Sequence, residues 1–430
     1  MAARVIIVGG GFGGLTVARG LGSKKGVEVE IFDRRNYLLF QPLLSQVSMA
    51  GLSPAEIAVP IRGELSGYSN IETWLGGVKS VDLAGKKIGT DWGLEFNYDY
   101  LVLACGAKHS YFGHESWEAF APGLKTVEQA TEIRRRVFTA FEMAERETDK
   151  ERQRHLLTFV VIGGGPTGVE LAGALGEISR FTLTHDFRRI DPQRTRIILV
   201  EGGPRILPSF DPSLSARASR DLENLGVQVW TSSMVSNISK EGVEIGKEVL
   251  KAATILWAAG VKPSSLNQTL GIPLDRLGRV IVEEDLSLTG HPEVFVIGDQ
   301  AHFSHGVSEA LPGLATVAMQ QGRHVTKNIL SDLKGRQRKP FRYINKGIMA
   351  TIGRRRAVVQ LPGIRFGGPL AWFMWFLVHI YYLVGFKNKL VVYISWMWSY
   401  LTYRRGARLI VEKDWRFYRD DGRTVSDEKT

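Results

Sequence analysis

Only one cysteine, Cys105, occurs in the 430 residues. A single thiol cannot build a disulfide framework, and no second cysteine completes a redox dithiol or a thiolate metal site, so a reducing compartment is expected. The amino terminus, MAARVIIVGGG, has no basic region, apolar stretch and cleavage site of the secretory kind, which places the expected chain on the cytoplasmic side of the cell membrane. Acid is missing from a long stretch too. Between Leu333 and Val411 there is no Asp or Glu but fifteen Lys and Arg, including the run Arg354, Arg355, Arg356. Residues 334–430 hold 20 basic and 6 acidic side chains, a net +14 of the total +11, so the first 333 residues carry about −3 and the basic character belongs to the tail. These cations interleave with apolar runs rather than forming a stacking groove, which argues against nucleic acid as a partner. With 44% hydrophobic content, the length suffices for two or three domains.

Glycine is plentiful, and it is patterned. RVIIVGGGFGGLTVARGL reads as a buried strand, then Gly9-x-Gly11-x-x-Gly14, then a helix, and VEVEIFDRR delivers Asp33 nineteen residues after Gly14. Strand, spacing, helix and acid together form a dinucleotide fingerprint: a tight turn, close approach to a pyrophosphate, a helix N-terminus facing the phosphates, and a carboxylate for the ribose. The pattern returns in HLLTFVVIGGGPTGVELAGAL as Gly163-x-Gly165-x-x-Gly168, and TRIILVEGG ends a strand on Glu201. Residues Phe181 to Gln193 account for the longer interval as an extension of the crossover. Two fingerprints imply two nucleotide cofactors. Glu201 would bond a ribose diol and repel a 2′-phosphate, favouring NADH, although Arg205 nearby leaves NADPH open.

Two further stretches assign the first site to FAD. FNYDYLVLACGAKHSYFGH resembles the strand ending in Ala-Thr-Gly that returns the chain to the FAD unit of two-dinucleotide flavoproteins, with Cys105 at the threonine position. HPEVFVIGDQA resembles the later signature in which Gly298 and Asp299 meet the ribityl chain and pyrophosphate. Their order around the second fingerprint, closed by TILWAAGVKPS, describes a glutathione-reductase-like α/β architecture with two Rossmann-like domains. The expected division is an FAD-binding domain from residues 1–122 and 271–340, an NADH-binding domain from 123–270, and a membrane-anchoring region with amphipathic helices from 341–430. The FAD contacts expected from this arrangement are Gly9, Gly11, Phe12, Gly13, Gly14 and Asp33, then Arg34, Val78, Ala104, Gly106, Asp299 and Thr316. Those expected for NADH are Gly163, Gly165, Thr167, Gly168, Glu201 and Gly260. Disulfide reductases and sulfide oxidisers need cysteines that this chain lacks, so electrons must leave the flavin for a diffusible acceptor.

RRNYLLFQPLLSQVSMAGLSPAEIAVPIR, GGGPTGVELAGALGE, LPGLATVAMQQGRHVTKNI and GFKNKLVVYISWMWSYLTYRRGARLI together resemble type II NADH dehydrogenases, the single-subunit, non-pumping NADH:quinone oxidoreductases. The resemblance spans nearly the whole chain. It implies hydride transfer from NADH to FAD and two-electron reduction of a quinone, and frequently a homodimer formed through the carboxyl-terminal part. The family's Ala-Gln-x-Ala-x-Gln signature appears as Ala315-Thr316-Val317-Ala318-Met319-Gln320, with Thr316 in place of the first glutamine. Ala315, Gln320, Gln41 and Pro42 are the expected quinone-site residues. Gln320 offers a donor and an acceptor to a quinone carbonyl. Pro312-Gly313 starts a helix whose positive end would favour negative charge on a bound flavin. The resemblance also implies that Glu170, placed on the first turn of the helix after the second fingerprint, faces the nicotinamide and flavin and holds or relays a proton; a carboxylate there could instead serve only the helix dipole. No metal is expected, since His291, His302 and His305 lack ligand spacing.

An oily quinone explains the tail. Leu370 to Phe386 is interrupted only by His379, at the lower limit for a spanning helix, and Leu390 to Leu401 is too short to cross. Basic residues on both flanks favour a monotopic helical hairpin lying in the interface. In this reading Trp372, Trp375, Trp396 and Trp398 sit at interfacial depth, while Lys387, Lys389, Arg404, Arg405 and Arg408 meet anionic headgroups of membrane lipid. A reductase serving a small iron–sulfur protein, or a non-catalytic FAD/NAD redox sensor, are the other classes the residues admit.

Overall fold

The computed structural model describes residues 2–307, 309–402 and 405–411. Its first sheet is parallel apart from one edge strand, in the spatial order Ser287–Leu288, His291–Val296, Tyr100–Leu103, Ala3–Val8, Val27–Asp33, Ile71–Leu75. Residues 5–8, 101–103 and 294–296 at its centre are buried and apolar, as strand segments covered on both faces must be. Val8 pairs with Phe32 and Leu103, so the chain leaves the sheet into the first glycine turn at the carboxyl end of the central strand. Helix α1 (Phe12–Leu21) follows that turn.

A second parallel sheet runs Val227–Trp230, Arg196–Val200, Thr158–Ile162, Thr254–Trp257. The two halves are tied by an antiparallel pair of crossover strands, Ala107–His109 with Val261–Pro263. The short helix α2 (Leu44–Ser48) belongs by sequence to the first unit, yet Leu43, Leu44 and Val47 are buried in the core of the second. There they meet α3 (Val127–Arg146) and α4 (Pro166–Glu177). The long interval before Glu201 contains a π turn over Ile178–Thr182 and a single 3-10 turn at Pro192–Arg194. Helix α5 (Ala315–Asp332) packs along α1, close enough that a methyl on Gly322 would lie 2.7 Å from the Gly13 carbonyl oxygen.

The carboxyl-terminal part is a three-stranded meander, Ile348–Gly353, Arg356–Leu361, Ile364–Gly367, followed by helices α6 (Pro369–Tyr382) and α7 (Phe386–Thr402). Gly368 and Gly385, both at positive φ, turn the chain into each helix. Among the described residues no helix is long and apolar enough to cross a membrane. The hairpin is present, but its two faces are unequal. Trp375 and Trp396 are 3% and 9% exposed and pack on each other in the main core, so these two are not interfacial as the sequence suggested. A helix of this composition hides its sidedness, because apolar residues surround it and only docking selects a face. The outer face carries Leu370, Phe373, Leu377 and Tyr381 on α6, and Phe386, Leu390, Ile394, Trp398 and Leu401 on α7, all exposed. Trp372 is half-buried, against Tyr400.

Two of the expected headgroup cations are paired with carboxylates of the protein, and one of them is buried. Arg405 is buried, bonds the Met49 carbonyl at 2.8 Å and pairs with Glu177 at 2.9 Å. Arg408 pairs with Asp186. A guanidinium next to fixed carboxylates and carbonyls is better satisfied there than by headgroups. Lys387 is exposed, Lys389 donates to the Tyr381 carbonyl at 2.9 Å, and Arg404 lies outside the described residues. Arg134 completes the junction. It is buried and donates to the carbonyls of Val47, Leu52 and Ala407, at 2.7–3.2 Å. Arg405→Met should lower stability by about 3 kcal/mol, because the Glu177 carboxylate keeps its enclosure but loses its cation. The double variant Arg405→Met/Glu177→Leu should recover most of that loss, as thermal unfolding would report.

Candidate functional site

Both glycine turns are built the same way. Gly9 and Gly163 each have φ of 107°, and a Cβ on either would collide with the backbone of Ala104 or Ala258. A Cβ on Gly14 would stand 1.8 Å from the Gly9 carbonyl oxygen, and one on Gly168 would stand 1.8 Å from that of Gly163. Gly11 and Gly165, the N-caps of α1 and α4, have nothing within 4 Å of such a carbon. The first and third glycines therefore make the turn, and the second leaves room for something outside the chain.

The two acids repeat one contact. Asp33 accepts the Gly10 N–H at 2.6 Å and the Arg35 N–H at 2.8 Å. Glu201 accepts the Gly164 N–H and the Gly203 N–H, both at 2.6 Å. Each carboxylate is thus fixed beside its turn with further lone pairs free for a ribose diol. Burial pushes the Asp33 carboxyl up, against the pull of its two backbone bonds. Arg205, the residue that left a 2′-phosphate open, is committed elsewhere: its guanidinium donates to the carbonyls of Phe210 at 2.6 Å and Pro208 at 2.8 Å.

A cleft of about 2220 Å³ runs from the first turn to the hairpin. That exceeds the roughly 300–1,000 Å³ of an ordinary small-molecule pocket. Gly9, Gly11, Phe12, Gly13, Asp33 and Arg34 line it, with Val78, Ala104, Gly106, Asp299 and Thr316 further along. Gly14 lies beneath the turn. The cleft, open space at Gly11 and the fixed Asp33 suit an FAD. Gln41, Pro42 and Ala315 line the same cavity, as do Thr167 and Glu170. Gly163, Gly165, Gly168, Glu201 and Gly260 do not; they form the second turn and its rim, with Gly260 at φ 72° under the Phe112 ring. Among the described residues no three His, Cys, Asp or Glu side chains cluster as metal ligands.

Gln320 is placed differently from the expectation. Its amide donates to the Ile344 carbonyl and accepts the Ile344 N–H, both at 3.0 Å, so it pins the 344 segment and does not line the cleft. The neighbouring Gln321, one step round the helix, is buried and accepts the Gly298 N–H at 2.7 Å, holding the Gly298–Asp299 turn. Glu170 also differs. It is the fifth residue of α4, past the first turn, and so is not a cap on the helix dipole. Ser45 Oγ donates to its Oε2 at 3.0 Å, the Thr351 N–H reaches it as well, and burial nonetheless pushes the carboxyl up to about 7. Cys105 has its thiol pushed up to about 12 by burial, and its N–H donates to Gln300 Oε1 at 2.8 Å. It is a packing residue with no thiolate to offer. Ser45, Gln300 and Gln321 were not singled out from sequence; each is an ordinary polar residue until the chain brings its partner near.

Gly11→Ala should fold with an unchanged melting temperature without added flavin but fail to retain it, because the new methyl points into open space. Gly14→Ala should fail to fold, and circular dichroism with flavin absorbance separates the two outcomes.

Residues 3–322 match the pyridine nucleotide-disulphide oxidoreductase family, and residues 345–405 match the NDH2 C-terminal domain. A type II NADH:quinone oxidoreductase of Mycobacterium tuberculosis is 40% identical over 425 residues, covering 95% of this chain and 90% of that protein. The type II NADH:quinone oxidoreductase of Staphylococcus aureus is 30% identical over 376 residues, 86% of this chain and 91% of its own length. The fold is shared with the solved NDH2 of Plasmodium falciparum in complex with NADH, at a TM-score of 0.86 and 20% identity over 96% of this chain and all of that one. With two glycine cradles of one design, a cleft that runs from the first of them to an apolar hairpin, and these relatives along nearly its whole length, the chain belongs to the type II NADH:quinone oxidoreductase family.

Proposed function

We propose that this protein oxidises NADH and passes the electron pair to a membrane quinone, without pumping protons. The observation that carries the reading is the single cleft: a flavin-sized cradle begins at Gly11 and Asp33, and the same cavity continues past Glu170 to the hairpin. When bound, FAD supplies the centre that takes hydride from NADH and hands two electrons on. Gly163, Gly165, Gly168 and Glu201 would hold the NADH ribose and pyrophosphate, and the engaged Arg205 supports NADH over NADPH. Gly123 bridges to Trp257 of the second sheet, which supports beginning the NADH-binding domain there, with residues 1–122 and 271–340 holding FAD and 341–430 forming the foot.

Glu170 stands where the NADH-side helix meets the cleft, at a pKa near 7. It is mostly neutral below that pH and can give a proton to a reduced acceptor; above it the carboxyl ionises and that donor disappears. Ser45 donates to its Oε2 and so holds the carboxyl group in place. Gln41, Pro42 and Ala315 would wall the quinone ring, and Gln320 would act only through the segment it pins.

The foot suits lipid in the plane of the membrane. Apart from Lys387, its exposed residues are apolar and aromatic on both helices, a face an acidic iron–sulfur protein would have little reason to select. Lys387 at the rim would meet anionic headgroups. A homodimer through the carboxyl-terminal part and a cytoplasmic-face location belong to this reading on the family resemblance.

Mixing anaerobic holoenzyme with NADH should bleach the flavin absorbance, and a short-chain quinone should restore it; an oxidised spectrum that survives excess NADH would refute the reading. For Glu170, wild-type flavin reoxidation by quinone should slow as pH rises through about 7. Glu170→Gln should be about 100-fold slower and lack that inflection, with bleaching by NADH unchanged.

A further inference from the structure

The far wall of the cleft is the inner face of α6, where Met374, Val378, His379 and Tyr382 line the cavity. These positions follow helical spacing and share one side. Only His379 and Tyr382 bring polar atoms, and the structure fixes what each can do.

His379 Nδ1 lies 2.7 Å from the Trp375 carbonyl oxygen, one turn back on its own helix. A carbonyl only accepts, so the hydrogen sits on Nδ1 and Nε2 keeps a lone pair. Burial pushes the imidazole down to about 4, so it stays neutral at working pH. The Trp375 ring at 4.3 Å and the Phe40 edge at 6.3 Å hold it in place. Among the described residues nothing bonds to Nε2. Tyr382 is the complement. Lys346 Nζ donates to its oxygen at 3.2 Å; an ammonium cannot accept, so the phenol hydrogen is left to donate elsewhere, and the adjacent cation strengthens it as a donor.

One helix face therefore offers the cavity a fixed acceptor and a fixed donor. An oxidised quinone presents carbonyl oxygens, which only accept; a quinol presents hydroxyls, which donate. Building on the quinone reading above, we propose that Tyr382 positions the oxidised headgroup by donating to its carbonyl, and that His379 binds the reduced one by accepting from its hydroxyl. Neither residue gains or loses a proton: the two electrons come from reduced flavin and the two protons from elsewhere, so both are positioning residues. Their effect is on which redox form of the acceptor binds.

The test is steady-state kinetics of holoenzyme with NADH and a short-chain quinone, with the matching quinol as product inhibitor and a soluble one-electron dye as control. Tyr382→Phe should raise the quinone KM about fivefold, the effect of one hydrogen bond, with kcat and dye reduction within twofold of wild type. His379→Phe, which keeps the ring contacts, should leave the quinone KM within twofold and weaken quinol inhibition about fivefold; His379→Gln, whose amide oxygen accepts, should restore it. Equal losses toward quinone and quinol, a parallel loss of dye reduction, or constants unchanged from wild type would each overturn the inference while leaving quinone reduction intact. A wild-type protein that never reduces quinone would instead remove the functional reading and this inference with it.

Discussion

The structure depends on how two buried guanidinium groups are satisfied. Arg134 has no carboxylate within bonding distance among the described residues and gathers carbonyls from Val47, Leu52 and Ala407; Arg405 takes the Met49 carbonyl and the Glu177 carboxylate. Both arginines converge on carbonyls between Val47 and Leu52, in the last turn of α2 and just after it. Cations out of water need this many oxygens, and only one arrangement of α2, the end of α4 and the segment after the hairpin supplies them. The foot is thereby fastened to the helix that carries Glu170 and to the helix that carries Ser45. Membrane contact and the protonatable end of the cleft are parts of one packed unit.

The same economy appears at the two nucleotide turns. A strand ends, a glycine at positive φ reverses the chain, and a carboxylate from the next strand accepts the N–H of the glycine that follows. Used twice, this leaves two helix N-termini, at Gly11 and Gly165, where a side-chain carbon would meet nothing within 4 Å and a phosphate can approach the backbone. From the first of these to the hairpin the cavity changes character, from glycine and charge at Asp33 to Met374, Val378 and the aromatic rings of α6. A charged dinucleotide and an oily ring can share it from opposite ends, consistent with a protein that needs no sulfur between them.

The differences between expectation and structure have a common cause. Trp375, Trp396, Arg405 and Arg408 look in sequence like their neighbours on the same helices and tail, and composition cannot tell which side docks. Gln320 and Gln321 are adjacent and chemically identical; a rotation of about 100° between successive helix positions gives one of them the Gly298 turn and the other the Ile344 backbone. Glu170 missed the dipole role by one residue, and its raised pKa comes from enclosure by segments more than a hundred positions away in sequence.

What the residues alone determined was whatever is local: two glycine-carboxylate fingerprints at helical and strand spacing, the absence of a partner for Cys105, the charge gap before Val411 and the short apolar runs after Pro369. Each depends on backbone conformation or composition within a few dozen residues, so each could be read in one dimension. The tertiary structure decided which polar group faces which: Ser45 on Glu170, Lys346 on Tyr382, Arg405 on Glu177, and the choice of inner and outer face on the hairpin. Those pairings are set by burial, which strips away water and forces every remaining donor and acceptor to find a partner in three dimensions.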